Sequence, residues 1–199
     1  MAKVLVLKVT MINDKVSYST AILNKFIEVY KNKYKNDEII ELDLTNEPMA
    51  QKALTRDNMG NFWNKDDSEK YIDQLKSVDK LILASPMVNF NIPAILKNYI
   101  DHVFLADKLF SYKYSKKGDA IGLLDKLKVQ IITTQGAPVG WYPFSSHTEY
   151  LRGLWEFAGA KINRPIVISG TKVEPYSKMD INDFVKSELD NIMESLKEF

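Results

Sequence analysis

Five short runs of β-branched and leucine residues recur along the chain, at residues 3–9, 38–44, 80–85, 128–134 and 161–169. Between them lie segments whose apolar residues follow the helical period. Ile22, Phe26, Val29 and Tyr30 mark one helix, and Tyr71, Ile72, Leu75 and Val78 a second. Further helices are expected over 95–104 and 151–158. A last stripe of Ile181, Phe184, Val185, Leu189, Ile192, Met193 and Leu196 predicts one more at the end. Strands alternating with helices call for a parallel sheet covered on both faces, because right-handed crossovers place the helices there. The runs at 4–9 and 81–84 are apolar at nearly every position, as burial on both sides of a central strand requires.

The chain is long enough to close such a sheet. With 199 residues, 45% of them hydrophobic and 27% charged, it has the composition of one soluble globular domain spanning 1–199. A domain of this size buries roughly 70% of its unfolded surface without disulfides or a structural metal. There are no cysteines, which removes thiolate nucleophiles, iron–sulfur clusters and cysteine-bound zinc, and which fits a reducing cytoplasm. Lys and Arg total 27 against 26 Asp and Glu, and no long basic run occurs, so no nucleic-acid partner is expected. No stretch approaches the ~20 apolar residues of a membrane span, and the N-terminal run is too short for a secretory signal. No membrane partner is expected either.

Two segments exceed ordinary connector length. Residues 45–65 carry Pro48, Arg56, Asn58, Gly60 and Trp63 without a clear period. Residues 105–123 read as an aromatic strand pair, Phe110, Ser111, Tyr112, Lys113 and Tyr114, followed by a turn at Lys116, Lys117, Gly118 and Asp119. Long excursions in α/β domains serve a site, a subunit contact or a mobile surface loop.

In a doubly wound sheet the ligand lies beyond the carboxyl ends of the strands, where strand order reverses. That geometry selects three loops. The first, Thr10 to Thr20, is rich in hydroxyls and has no glycine. Ser17, Ser19 and Thr20 suit either a plain helix cap or a cradle in which the helix start receives a single phosphate. Neither a dinucleotide fingerprint nor a nucleotide P-loop is present. The second loop, Ser85 to Pro93, is stiffened by two prolines and edged by Asn89 and Asn91; Met87 and Phe90 suit either the core or the apolar cover of a planar ring. In the third, Thr134, Gln135, Gly136 and Ala137 offer hydrogen bonds and close backbone approach, or simply a turn. Their convergence on one crevice outweighs any single match.

These residues are similar to those of a known family. The opening Lys3-Val4-Leu5-Val6-Leu7-Lys8, the block Pro86-Met87-Val88-Asn89-Phe90-Asn91-Ile92-Pro93 with Leu96-Lys97-Asn98-Tyr99-Ile100-Asp101, and the segment from Tyr150 to Gly159 resemble the FMN-dependent NADH-azoreductases, flavodoxin-like quinone reductases. The resemblance covers nearly the whole chain. It implies a flavodoxin-like three-layer sandwich, an α/β fold whose five-stranded parallel sheet runs in the order 2-1-3-4-5 with helices on both faces. It also implies that Thr10, Ser17, Tyr18 and Ser19 hold the FMN phosphate and ribityl end. Pro86, Met87, Val88, Asn89 and Phe90 would line the isoalloxazine, and Thr134, Gln135, Gly136 and Ala137 its pyrimidine edge. NADH would be the co-substrate, a quinone or azo compound the acceptor, and both would use one slot in turn. Family members act as homodimers, so Phe110, Tyr112 and Phe157 are candidates for an apolar substrate lid, with core packing as their competing role.

The chain departs from the family in places. Its first loop is one residue longer, Tyr18 stands where glutamine is common, Val88 replaces a frequent tyrosine and Ala137 a usual second glycine. Because the cofactor carries the chemistry, no catalytic side chain is assigned. Neither histidine belongs to a metal motif; His102 is expected to be structural and His147 to serve at the surface or a helix entry. A flavodoxin-like electron carrier without small-molecule turnover, and a phosphate-binding regulatory domain without flavin, are the alternatives.

Overall fold

A computed structural model of the chain describes residues 1–113 and 119–199. Its central sheet is parallel. Strands β1 (Lys3–Lys8), β2 (Glu38–Asp43) and β3 (Lys80–Pro86) stand in the order β2-β1-β3, and β6 (Lys128–Thr134) follows on the far side of β3. Two short strands, β7 (Lys161–Ile162) and β8 (Ile166–Ile168), both pair with β6 and share the fifth position. The expected order 2-1-3-4-5 is therefore the observed one. The expected run 161–169 is interrupted at Asn163, Arg164 and Pro165. Proline has no N–H to donate to the ladder, and Asn163 turns its side-chain amide to the Ser195 carbonyl at 2.8 Å.

Each central strand is buried on both sides, and the two sides feed two cores. Leu5, Leu7, Leu81, Leu83, Val129 and Ile131 face helices α2 (Lys70–Ser77), α3 (Ala94–Val103) and α4 (His147–Phe157). Val4, Val6, Ile82, Ala84 and Ile132 face α1 (Tyr18–Lys33), α5 (Ile181–Ser187) and α6 (Leu189–Glu198). Helix α1 forms because Ser17 caps it, accepting the Thr20 N–H at 3.2 Å, and because Ile22, Leu23, Phe26, Ile27 and Tyr30 make one buried stripe. Pro93 immediately precedes α3 with a φ of −61°, already set for helix entry. The apolar stripe over 181–196 belongs to two helices, α5 and α6, which break at Glu188.

The excursion after α3 includes two short antiparallel strands, β4 (Phe110–Ser111) and β5 (Ile121–Gly122). Tyr114 and the expected turn residues Lys116, Lys117 and Gly118 lie outside the described residues. The excursion is fastened to the end of α4 at Gly122, where an added Cβ would stand 2.1 Å from the Gly159 nitrogen. Only a bare backbone fits that approach. Residues 45–65 include short 3-10 turns at Leu44–Asn46 and Pro48–Gln51, and a five-residue π-turn, Lys65–Glu69, leads into α2. Among the described residues, no helix is long and apolar enough to cross a membrane.

Candidate functional site

The sheet order places the carboxyl ends of β1 and β3 side by side, and their following loops diverge to opposite faces. The crevice between them is walled by residues from the ends of β1, β3, β6 and β8. It holds two adjoining cavities of about 320 and 300 Å3. Met87, Gln135, Gly136 and Lys172 line both.

At one end stands the start of α1. Ser17 and Ser19 are 2% exposed, with their hydroxyl oxygens 3.2 Å apart, and the Thr20 hydroxyl donates to that of Ser17 at 2.9 Å. The N–H groups of Tyr18 and Ser19 precede the first helical hydrogen bond and have no acceptor among the described residues. Hydroxyls and open N–H groups thus converge at the positive end of a sixteen-residue helix. The Tyr18 side chain is occupied elsewhere: its hydroxyl donates to the Tyr176 carbonyl at 3.1 Å and its ring meets Phe184 edge-on at 4.5 Å. Thr10 turns its hydroxyl to the Ile12 carbonyl at 3.0 Å and lines a neighbouring hollow with Thr45 and Gln51.

The loop after β3 is a two-residue hairpin. Val88 and Asn91 exchange both backbone hydrogen bonds, at 2.8 and 3.1 Å, across Asn89 and Phe90. Both central residues are left-handed, with φ of 46° and 69°. Such turns favour asparagine and glycine, and a phenylalanine there is strained. The conformation turns the Asn89 and Phe90 N–H groups away from the ladder, without acceptors among the described residues. Phe90 is 44% exposed, so it lies outside the core. Its ring meets Tyr142 at 5.0 Å and Phe144 at 5.1 Å, forming an exposed aromatic group beside the second cavity.

The loop after β6 is held from two sides. Met87 N–H donates to the Thr134 carbonyl at 2.7 Å, and Gln135 N–H to the Ile168 carbonyl at 2.8 Å. The segment after β8 then pairs along it: Thr171 N–H reaches the Gln135 carbonyl at 3.1 Å, and Lys172 N–H the Gly136 carbonyl at 3.0 Å. The Gly136 and Ala137 N–H groups have no acceptor among the described residues. Gln135 donates its side-chain amide to the Ala137 carbonyl at 2.9 Å, fixing the turn.

Of the residues expected from the sequence, Ser17, Tyr18, Ser19, Pro86, Met87, Val88, Asn89, Phe90, Thr134, Gln135, Gly136 and Ala137 all line one or both cavities. Phe110, Tyr112 and Phe157 come together as a separate cluster, with Phe110 5.6 Å from Tyr112 and 4.9 Å from Phe157, and line neither cavity. Sequence inspection missed Tyr142, Phe144 and Lys172. The aromatic spacing 141–144 beside the third loop was a signal for the first two; Lys172 had none.

The histidines stand apart from both linings. His102 stacks on Phe62 at 3.8 Å and meets the Ser68 hydroxyl at 3.3 Å, a structural placement. His147 is the first residue of α4, at a helix entry but 1% exposed, and burial pushes its pKa down to about 4.

A parallel sheet in this order, with helices on both faces and a crevice at its switch point, defines a flavodoxin-like protein. A profile described as the flavodoxin-like fold matches residues 2–191. An FMN-dependent NADH:quinone oxidoreductase of Malacoplasma penetrans is 57% identical over 173 residues, covering 87% of this chain and 82% of that protein. A protein named FMN-dependent NADH:quinone oxidoreductase 1 from Mesoplasma florum is 48% identical over the full length of both. Among solved structures, an azoreductase from Bacillus anthracis superposes with a TM-score of 0.82 at 24% identity, covering all of both chains. The chain belongs to this flavodoxin-like family, alongside the FMN-dependent NADH:quinone oxidoreductases.

Proposed function

We propose that the chain, acting as one unit over 1–199, is an oxidoreductase that binds FMN in the crevice and uses NADH to reduce quinones. The observation that carries the proposal is the set of open backbone N–H groups at residues 18, 19, 89, 90, 136 and 137, distributed along two connected cavities. The residues that carry them line the crevice from three loops, where a ligand would find donors not taken up by the fold. The donor set fits FMN. One end has hydroxyls and a helix start for a phosphate, with no charged side chain required; the middle is lined by Met87 and Gly136; the far donors suit the polar edge of a ring. The names of the relatives support FMN as cofactor and NADH as donor, and a Bacillus anthracis azoreductase was solved in complex with FMN.

When bound, FMN supplies the hydride-accepting and electron-donating chemistry. The chain's residues bind, orient and exclude water. Ser17 and Ser19 with the Tyr18 and Ser19 N–H groups would anchor the phosphate. The Asn89, Gly136 and Ala137 N–H groups would meet negative charge at the ring, preorganised by the hairpin and by the bonds from 170–172. The exposed group of Phe90, Tyr142 and Phe144 would receive a planar molecule, NADH first and then the acceptor, so the two would alternate in one slot. An azo acceptor would need two such rounds for full cleavage and a quinone one. The Phe110, Tyr112 and Phe157 cluster would meet a second copy of the chain and complete its slot. Absence of cysteine and use of NADH favour a cytoplasmic setting.

The test is the absorbance of the purified protein before and after anaerobic NADH. A flavin band near about 450 nm that bleaches, and a steady-state rate with a quinone above that of free FMN, is the expected result. A yellow protein without quinone turnover would instead support an electron carrier, and a colourless protein that FMN does not stabilise would end the flavin proposal.

A further inference from the structure

Both cavities of the crevice share one charged side chain. Among the described residues that line them, Lys172 alone is ionic. No carboxylate lines either, and the Lys172 ammonium has neither a hydrogen-bond nor an ion-pair partner among the described residues. Lys8, the lysine at the end of β1, is by contrast already tied to Asp14 and to Asp43 at 3.6 Å.

The position of Lys172 is built. Its backbone is paired to Gly136, and its stem lies across that glycine: an added Cβ at Gly136 would stand 2.9 Å from the lysine Cδ and 3.0 Å from its Cγ. The missing side chain at 136 is therefore what allows the lysine stem to lie there, over the same segment whose Gly136 and Ala137 N–H groups are open. Two kinds of positive partner, fixed amide dipoles and one ammonium, thus meet at one edge of the crevice.

We propose that Lys172 is a positioning residue that supplies the compensating charge for reduction at this site, and so raises the reduction potential of bound FMN. The inference rests on the FMN proposal above. Uptake of one hydride brings two electrons and one proton, so the bound group gains a single net negative charge. A cation beside the 134–137 edge stabilises that state and leaves the neutral oxidised ring almost untouched. Because the ammonium is exposed to solvent, its effect is moderate and screened by salt.

The test is the midpoint potential of the FMN-loaded protein, set against reference dyes without substrate turnover, with oxidised-FMN affinity measured by fluorescence titration. In Lys172→Met the affinity for reduced FMN is expected to fall on the order of tenfold more than that for oxidised FMN, which for a two-electron couple is a drop of about 30 mV. Lys172→Arg keeps the charge and is expected to retain the wild-type potential. Raising ionic strength should narrow the gap between wild type and the methionine variant. A potential unmoved by Lys172→Met overturns the inference, and so does an unchanged potential with a raised KM for NADH, which would give the lysine to the nucleotide. If the wild-type protein takes up no FMN, the proposed function itself fails and this inference goes with it.

Discussion

The two ends of the sheet are built on opposite principles. At the amino ends of the strands the polar groups are matched. Asp37 accepts the Ala2 N–H at 2.7 Å and the Tyr30 hydroxyl at 2.6 Å; Lys80 donates to that hydroxyl at 3.0 Å and lies 4.3 Å from the Tyr34 ring; Asp79 accepts the Lys3 N–H at 2.8 Å. At the carboxyl ends, N–H groups have no acceptor among the described residues, Phe90 is strained, and Phe90, Tyr142 and Phe144 stay exposed. The contrast teaches where stability and binding reside. Groups satisfied within the chain have nothing left for a ligand, and groups left for a ligand contribute little to the empty fold.

Damage to the closed end should unfold the protein without touching the site. Tyr30 is fully buried, joins Asp37 and Lys80, and packs on Tyr34 and Phe199 at 4.8 and 5.9 Å. Tyr30→Ala is expected to lower stability by about 3–5 kcal/mol, as for other large aromatic truncations. Urea unfolding measures it. FMN affinity of the molecules that remain folded should be unchanged, and a parallel loss would show that the two ends are coupled.

The open end should answer the other way. Ser17→Ala with Ser19→Ala removes hydroxyls proposed to meet a charged phosphate, and FMN binding is expected to weaken by about 1–3 kcal/mol in a fluorescence titration. Ser17 also caps α1, so the apo protein should lose about 1 kcal/mol besides. Unchanged FMN affinity would reduce the two serines to a cap and place the phosphate elsewhere.

How much of this was legible in the sequence follows the same division. The central strands announce themselves because burial on both faces demands apolar residues at every position, as at Val4 to Leu7 and Leu81 to Ala84. The three crevice loops follow from the rule that ligands sit where strand order reverses. The break of the fifth strand at Pro165 had a visible signal, the missing N–H. The break between α5 and α6 had none: Ser187 and Glu188 are neither glycine nor proline, and the apolar stripe continues across them. Lys172 was invisible for a different reason. It follows the fifth strand, and it reaches the crevice only because β8 pairs with β6, which brings residues 170–172 alongside 135–137. No local periodicity encodes a contact between segments so far apart in the chain.

The hairpin at 88–91 gives the finest discrimination, since it is where the open end is least stable by construction. A phenylalanine at a φ of 69° is strained by roughly 1–2 kcal/mol relative to a right-handed conformation, whereas glycine occupies that region freely. Phe90→Gly creates an Asn-Gly turn of the preferred type. Part of the relief is offset by the lost ring contacts with Tyr142 and Phe144 and by the greater freedom of glycine in the unfolded chain. The apo protein is therefore expected to gain at most about 1 kcal/mol, read as a small rise in Tm. The acceptor should bind more weakly, read as a raised KM for a quinone at fixed NADH. If instead the variant is less stable and binds the acceptor as well as wild type, then the ring is held for packing, and the left-handed turn is a cost the chain bears without functional return.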